Sequence, residues 1–172
     1  MPNDDAEQSS RRQLRAAGIV AGVVGLDQAT KAWAVSALAD GPESIIGSDV
    51  ELHLSRNTGG AFSLFQGFTP LLAILAAVIA VVLVRAVRRA EDGWTVVALS
   101  LVLGGAVGNL TDRAFRSPGF LRGAVVDFVK VGDFPTFNVA DSAITIGALL
   151  LVVTLFLPAR GEESARPGRD DA

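Results

Sequence analysis

Two aspartates stand where hydrocarbon makes a carboxylate expensive. Residues 123–141 read GAVVDFVKVGDFPTFNVAD, with Asp127 inside the apolar patch 124–131 and Asp141 at the mouth of the apolar run 139–157. Two carboxylates brought together near hydrocarbon do not both ionise cheaply. They tend to share a proton, and can then act as acid and base on one water molecule. The strand-like piece and loop between them leave enough chain to return and set them face to face. That is the chemistry of an aspartyl peptidase.

Other nucleophiles are scarce. The chain has no Cys, which removes disulfides, thiol nucleophiles and thiolate metal sites together. Its one histidine, His53, rules out the HExxH zinc pattern and reads as an ordinary surface residue. Ser63 lacks the Gly-x-Ser-x-Gly surround of a nucleophile elbow. No metal or cofactor is expected. No basic cluster is interleaved with aromatics, so nucleic acid is not an expected partner.

The elements that would hold these residues follow from the apolar pattern. With 172 residues the length suits one domain, yet half the residues are apolar. Four runs approach or reach the roughly 20 residues needed to cross about 30 Å of hydrocarbon. They are 14–38, 69–87, 94–113 and 139–157. Residues 1–13 and 159–172 are polar and read as disordered. The beginning resembles a secretory signal, with Arg11, Arg12 and Arg15 before an apolar stretch and Ala37-Leu38-Ala39 in A-x-A form. Asp27 to Lys31 puts charge between that stretch and the supposed cleavage site, so a retained first helix is expected.

Within the first run, Asp27 and Lys31 are four apart and share a helix face. They are either a structural ion pair or part of the site. Residues 40–68 are not a span. Gly41-Pro42 breaks the helix, residues 50–54 alternate like a half-buried strand, and Asn57-Thr58-Gly59-Gly60 gives a turn. A small sheet or interfacial element is expected there. The second run is nearly pure Leu, Ala, Ile and Val, closed by Arg85, Arg88 and Arg89, with Trp94 anchoring the third. Gly104 and Gly108 form a GxxxG that lets a neighbouring helix approach. Asn109, Asp112 and Arg113, at 0, +3 and +4, are expected on one face. Asp112 reads best as an Asp–Arg pair at a helix end near the headgroups. Residues 123–131 read as a second strand-like piece.

Lys and Arg near the spans set the orientation. Arg11, Arg12, Arg15, Arg85, Arg88, Arg89 and Arg160 fall on one side, and Arg56, Arg113, Arg116, Arg122 and Lys130 on the other. The bias favours cytoplasmic termini in a multi-pass plasma-membrane protein, with Asp127 and Asp141 at the outer face.

The chain also resembles the lipoprotein signal peptidases (signal peptidase II). Five motifs carry the likeness: Asp27-Gln28-Ala29-Thr30-Lys31; residues 57–63, NTGGAFS; residues 104–113, GGAVGNLTDR; Val125-Val126-Asp127-Phe128; and Phe137-Asn138-Val139-Ala140-Asp141. Gly60 stands where the family more often has Ala. The resemblance implies a mainly α membrane protein of four transmembrane helices with a small extracytoplasmic antiparallel β-sheet and an interfacial helix. It implies a bacterial aspartyl endopeptidase that removes the signal peptide of diacylglyceryl-modified prolipoproteins, cutting before the lipidated lipobox cysteine. It gives Asp127 and Asp141 the catalytic roles. Asn57, Gly108, Asn109, Arg113, Asn138 and Ala140 become substrate-binding or supporting positions, with Asp27 and Lys31 as structural support. Its partners would be prolipoproteins and membrane lipids, and a monomer would suffice. Two other classes compete: a four-span carrier of the small drug-exporter type using Asp27, and a structural membrane adaptor.

Overall fold

A computed structural model of the chain describes residues 2–47, 49–59 and 69–156. Seven elements follow in order: α1 (Pro2–Ala37), β1 (Glu43–Ile46), β2 (Val50–Asn57), α2 (Thr69–Arg89), α3 (Gly93–Phe115), β3 (Val125–Val131) and α4 (Val139–Phe156). Helix α3 is central, packed against α1, α2 and α4.

Among the described residues, three helices are long and apolar enough to cross a membrane, namely α2, α3 and α4. Helix α1 falls outside that group, because Asp27, Gln28 and Lys31 interrupt its apolar stretch. Helix α1 also begins earlier than expected: residues 2–13 are helical rather than disordered. Pro2 suits a first helical position, no glycine intervenes before Gly18, and Glu7 pairs with Arg11 one turn on at 3.3 Å. The tail 159–172 lies outside the described residues.

The apolar outer sides of the helices are legible in what stays exposed. Leu71, Ile74, Leu75, Val78 and Val82 of α2, and Ile146, Leu149, Val152 and Val153 of α4, are each more than half exposed. In water such a surface invites aggregation; in a bilayer it is the surface that hydrocarbon covers.

Two tight approaches hold the helices together. A Cβ on Gly108 would stand 2.7 Å from Asp27 Oδ2 of α1, and one on Gly105 would collide with the Ala140 carbonyl of α4. The expected GxxxG is thus half of the arrangement: Gly104 and Gly108 receive α1, while Gly105 receives α4.

The strands form one antiparallel sheet in the order β1-β2-β3. Strand β2 extends past the expected 50–54 to Asn57, and β1 is an addition to the expected elements. Its four residues are all exposed, so no alternation marks it. Residues 60–68, the rest of the segment expected at the interface, lie outside the described residues, as do Gly60 to Ser63 of the second motif. Between 40 and 59 the described chain makes strands and turns, not an interfacial helix. His53 is exposed on β2.

Alternation along β3 divides it between two tasks. Val126 and Phe128 are buried with Ala34 of α1 and Leu38 just past its end, and Phe128 meets Trp33 edge-on at 6.4 Å. Asp127 points to the other face. The register sets Ser55 opposite Asp127 and Asn57 opposite Val125, making Asn57 a diagonal neighbour of Asp127 on that face. Beyond β3 the chain folds back, and Phe137 pairs with Val129 through bonds of 2.9 Å in both directions. That bridge delivers the start of α4 beside Asp127.

Candidate active site

Helix α4 opens with a reciprocal cap. Asn138 Oδ1 accepts from the Asp141 N–H at 2.9 Å, and Asp141 Oδ2 accepts from the Asn138 N–H at 3.3 Å. This is the capping-box arrangement, with Asp141 three residues into the motif. Asp27 of α1 supplies a second cap, its Oδ1 accepting from the Ala140 N–H at 3.0 Å. A cap normally serves only the helix, but here the capping residues are also the candidate chemistry.

Asn138 links the two aspartates. Its Nδ2 donates to Asp127 Oδ1 at 2.6 Å, while its other side-chain atom and its N–H hold Asp141. Asn57 Nδ2 donates to Asp127 Oδ2 at 3.1 Å, and Asn109 Nδ2 donates to Asp141 Oδ1 at 2.8 Å. Each carboxylate therefore keeps both oxygens engaged by side-chain or backbone N–H donors. Burial, reinforced by the neighbouring Asp141 carboxylate, pushes the Asp127 carboxyl up to about 6, against the pull of Asn57 and Asn138.

Asp127, Asp141, Asn57, Asn109 and Arg113 line one cavity of about 550 Å³. Its other wall is apolar, with Phe134, Pro135, Phe137, Ile144 and Ile146. The size and mix suit a short stretch of extended peptide with an apolar group attached. Arg113 is only 8 % exposed, donates from Nη1 to the Asn109 carbonyl at 3.4 Å, and has no partner for Nε among the described residues.

Behind this wall lies a polar layer that does not line the cavity. Lys31 Nζ stands 2.8 Å from Asp27 Oδ2 and 2.9 Å from Asp112 Oδ2, with all three side chains fully buried. It also donates to Asn109 Oδ1 at 3.0 Å. Gln28 Nε2 reaches Asp27 Oδ2, Asp112 Oδ1 and the Gly108 carbonyl at 3.1–3.2 Å. Arg116 Nε donates to Asp112 Oδ1 at 2.7 Å, and Asp112 Oδ2 accepts from the Val126 N–H at 3.0 Å, tying α3 to β3.

The structure thus gathers Asp127, Asp141, Asn57, Asn109, Arg113 and Asn138 at one place, and sets Asp27, Lys31, Gly108 and Ala140 in the layer behind. Two expectations for α3 are corrected. Asn109, Asp112 and Arg113 do not face one way: at about 100° per residue, offsets of 0, +3 and +4 spread over roughly 100° of arc. Asp112 turns to α1 and Arg113 to the cavity. Asp112 does pair with an arginine, but with Arg116, and in a buried cluster rather than among headgroups. Gln28 is a member of this layer that sequence reasoning missed, although its place between Asp27 and Lys31 in the first motif marks it. A carrier built on Asp27 finds no support, since Asp27 is fully buried, ion-paired and spent on capping α4.

The family model for signal peptidase (SPase) II matches residues 19–157. A lipoprotein signal peptidase of Rhodococcus jostii is 50% identical over 137 residues, covering 78% of this chain and 69% of that protein. One from Mycobacterium bovis BCG is 46% identical over 153 residues, covering 88% and 75%. Among solved structures, a bacterial membrane enzyme determined by the in meso method superposes with a TM-score of 0.72 at 29% identity, over 92% of this chain and 94% of that one. A second, at 31% identity, gives 0.68 over 84% and 94%. A mainly helical chain with membrane-crossing helices, a three-stranded antiparallel sheet and this sequence likeness belongs to the signal peptidase II family, the peptidases named lipoprotein signal peptidases.

Proposed function

We propose that Asp127 and Asp141 are the catalytic pair of an endopeptidase that removes the signal peptide from diacylglyceryl-modified prolipoproteins, cutting before the lipidated lipobox cysteine. The observation that carries this reading is the shared cavity: both carboxylates line it, and Asn138 holds one oxygen of each. Asp127, with its carboxyl raised to about 6, is suited to hold a proton in mildly acidic solution, where an ordinary aspartate has already lost it. Asp141 then takes a proton from water, and the water oxygen bonds to the scissile carbonyl carbon. The Asp127 proton passes to the carbonyl oxygen. As the tetrahedral intermediate collapses, the C–N bond breaks, the proton on Asp141 goes to the leaving nitrogen, and Asp127 recovers its own. Asn57, Asn109 and Asn138 hold the carboxylates in place. Arg113, whose side chain lines the cavity, is a donor for a substrate carbonyl.

The apolar wall of Phe134, Ile144 and Ile146 suits a substrate that brings acyl chains. Such a substrate is confined to the membrane surface, and its peptidase belongs there too. In this reading α1 is a fourth span, since its polar residues are paired inside the bundle rather than offered to lipid. Both termini are cytoplasmic, the sheet and cavity lie at the outer face, and the enzyme acts as a monomer.

The test is cleavage of a diacylglyceryl-modified lipobox peptide by purified protein in detergent or lipid. Wild type and His53→Ala should cut it, while Asp127→Asn and Asp141→Asn should fold alike and lose at least about 1,000-fold in rate. Near-normal cleavage by either Asn variant removes the pair from the mechanism.

A further inference from the structure

The polar layer behind the cavity holds a fully buried lysine with one more contact than an ion pair needs. Resting on the catalytic reading above, we propose that Lys31 is a positioning residue for the reaction: through Asn109 it fixes the donor that holds Asp141. The ammonium has three hydrogens, and each has an acceptor: Asp27 Oδ2 at 2.8 Å, Asp112 Oδ2 at 2.9 Å and Asn109 Oδ1 at 3.0 Å. The first two settle the charge. The third reaches the site.

An asparagine amide has two ends, and its neighbours decide which way it points. Asn109 Oδ1 lies between two donors, Lys31 Nζ and Asn138 Nδ2, the latter at 3.2 Å. A flipped amide would set its NH₂ against an ammonium that has nothing to accept with. Nδ2 is therefore held toward Asp141 Oδ1, at 2.8 Å. Without Lys31, Asn138 alone would oppose the flip, and a flipped Asn109 would present its oxygen to the carboxylate, removing a hydrogen bond and adding repulsion. Lys31 thus acts on Asp141 from α1 through α3 without entering the cavity. Asp27 and Asp112 serve this by holding the lysine, while each also satisfies a backbone N–H of another element, Ala140 and Val126.

Removing Lys31 alone would leave two buried carboxylates short of a cation, with Arg116 facing only Asp112, so the variants are balanced in charge. Lys31→Met and Lys31→Gln are each made together with Asp27→Asn, and Asp27→Asn alone is the reference. The Asp27→Asn change keeps an oxygen for the Ala140 N–H, and Lys31→Gln keeps a neutral donor for Asn109. On the lipidated peptide, Lys31→Met/Asp27→Asn is expected to lose roughly 10–100-fold in kcat relative to Asp27→Asn, the worth of one hydrogen bond to a charged group. KM should stay within about twofold. Lys31→Gln/Asp27→Asn is expected to recover most of that loss. In an Asn109→Ala background the Lys31→Met change should cost nothing further in kcat, because its route to Asp141 is already gone.

Equal kcat for the Met and Gln variants, or losses that add fully to Asn109→Ala, would overturn the proposal. So would failure of both double variants to fold while Asp27→Asn folds, which would assign Lys31 to the fold alone. Failure of the catalytic reading is separate: it would show as cleavage surviving Asp127→Asn or Asp141→Asn, whatever Lys31 does.

Discussion

At the scale of single residues, the site is a set of amides aimed at two carboxylates. Asn57, Asn109 and Asn138 come from β2, α3 and the cap of α4, and each gives its NH₂ to an aspartate. Asp127 is 2 % exposed, and this burial, with Asp141 beside it, takes its carboxyl from 3.8 to about 6. A carboxyl whose folded value is raised favours folding fully below its ordinary value, and that contribution is lost as pH rises through about 6. The shift corresponds to a contribution on the order of 3 kcal/mol. Asp127→Asn should therefore melt higher than wild type at pH 8 and lose that advantage by pH 4, as read by thermal unfolding in detergent. Activity has the matching sign. If Asp127 must hold a proton, wild-type kcat/KM falls as pH rises past about 6. Asn57→Leu removes a donor that favours the ionised form, so it should move that alkaline limb upward while lowering the plateau. A limb unmoved by Asn57→Leu would break the link between Asn57 and the Asp127 proton.

At the scale of elements, the proposed catalytic pair depends on how closely α3 and α4 meet and on how α4 begins. Gly105 allows the Ala140 carbonyl to lie against α3, which brings Asn109 within 2.8 Å of Asp141. Gly105→Leu would push α4 away and should cost both stability, by roughly 1–3 kcal/mol, and nearly all cleavage. By contrast Gly93→Ala, where an added Cβ meets nothing closer than 3.9 Å, should melt and cleave like wild type. Loss of the Asn138 cap should weigh differently. Asn138→Ala removes a cap worth about 1 kcal/mol, yet it also frees one oxygen of Asp127, so its kcat should fall far more than its melting temperature implies. Parallel falls in kcat and melting temperature would make Asn138 a cap and nothing more. The motif Asn138-Val139-Ala140-Asp141 announced these residues in the sequence. It did not announce that Asp27, more than a hundred positions earlier, caps the same helix.

At the scale of the whole molecule, the chain is a helical bundle whose apolar outer surface demands a bilayer and whose sheet carries one side of the cavity. The proposed orientation puts His53 of β2 outside and Arg89 at the end of α2 inside, and both are exposed. Because the chain has no Cys, His53→Cys and Arg89→Cys are each the sole thiol in their variants. A membrane-impermeant maleimide applied to intact spheroplasts should label position 53, and should reach position 89 only after permeabilisation. The reverse pattern would invert the topology and place the site on the cytoplasmic side.

Much of this was legible in the chain alone. Apolar runs of spanning length marked α2, α3 and α4, because a bilayer imposes its thickness on composition directly. Carboxylates inside apolar stretches marked Asp127 and Asp141, since burying such groups is too costly to be incidental. Alternation marked part of β2 and β3. Where a side chain's partner lies far along the chain, the sequence was silent. Asp112 read as a headgroup-facing pair because its buried partners, Lys31 and Gln28, sit some 80 positions away on another helix. Strand β1 carries no alternation, so only pairing with β2 reveals it. The direction of the Asn109 amide has no trace in composition or spacing at all. It is decided by which donors stand on either side once α1, α3 and α4 have packed, and packing at that distance is a property of tertiary structure alone.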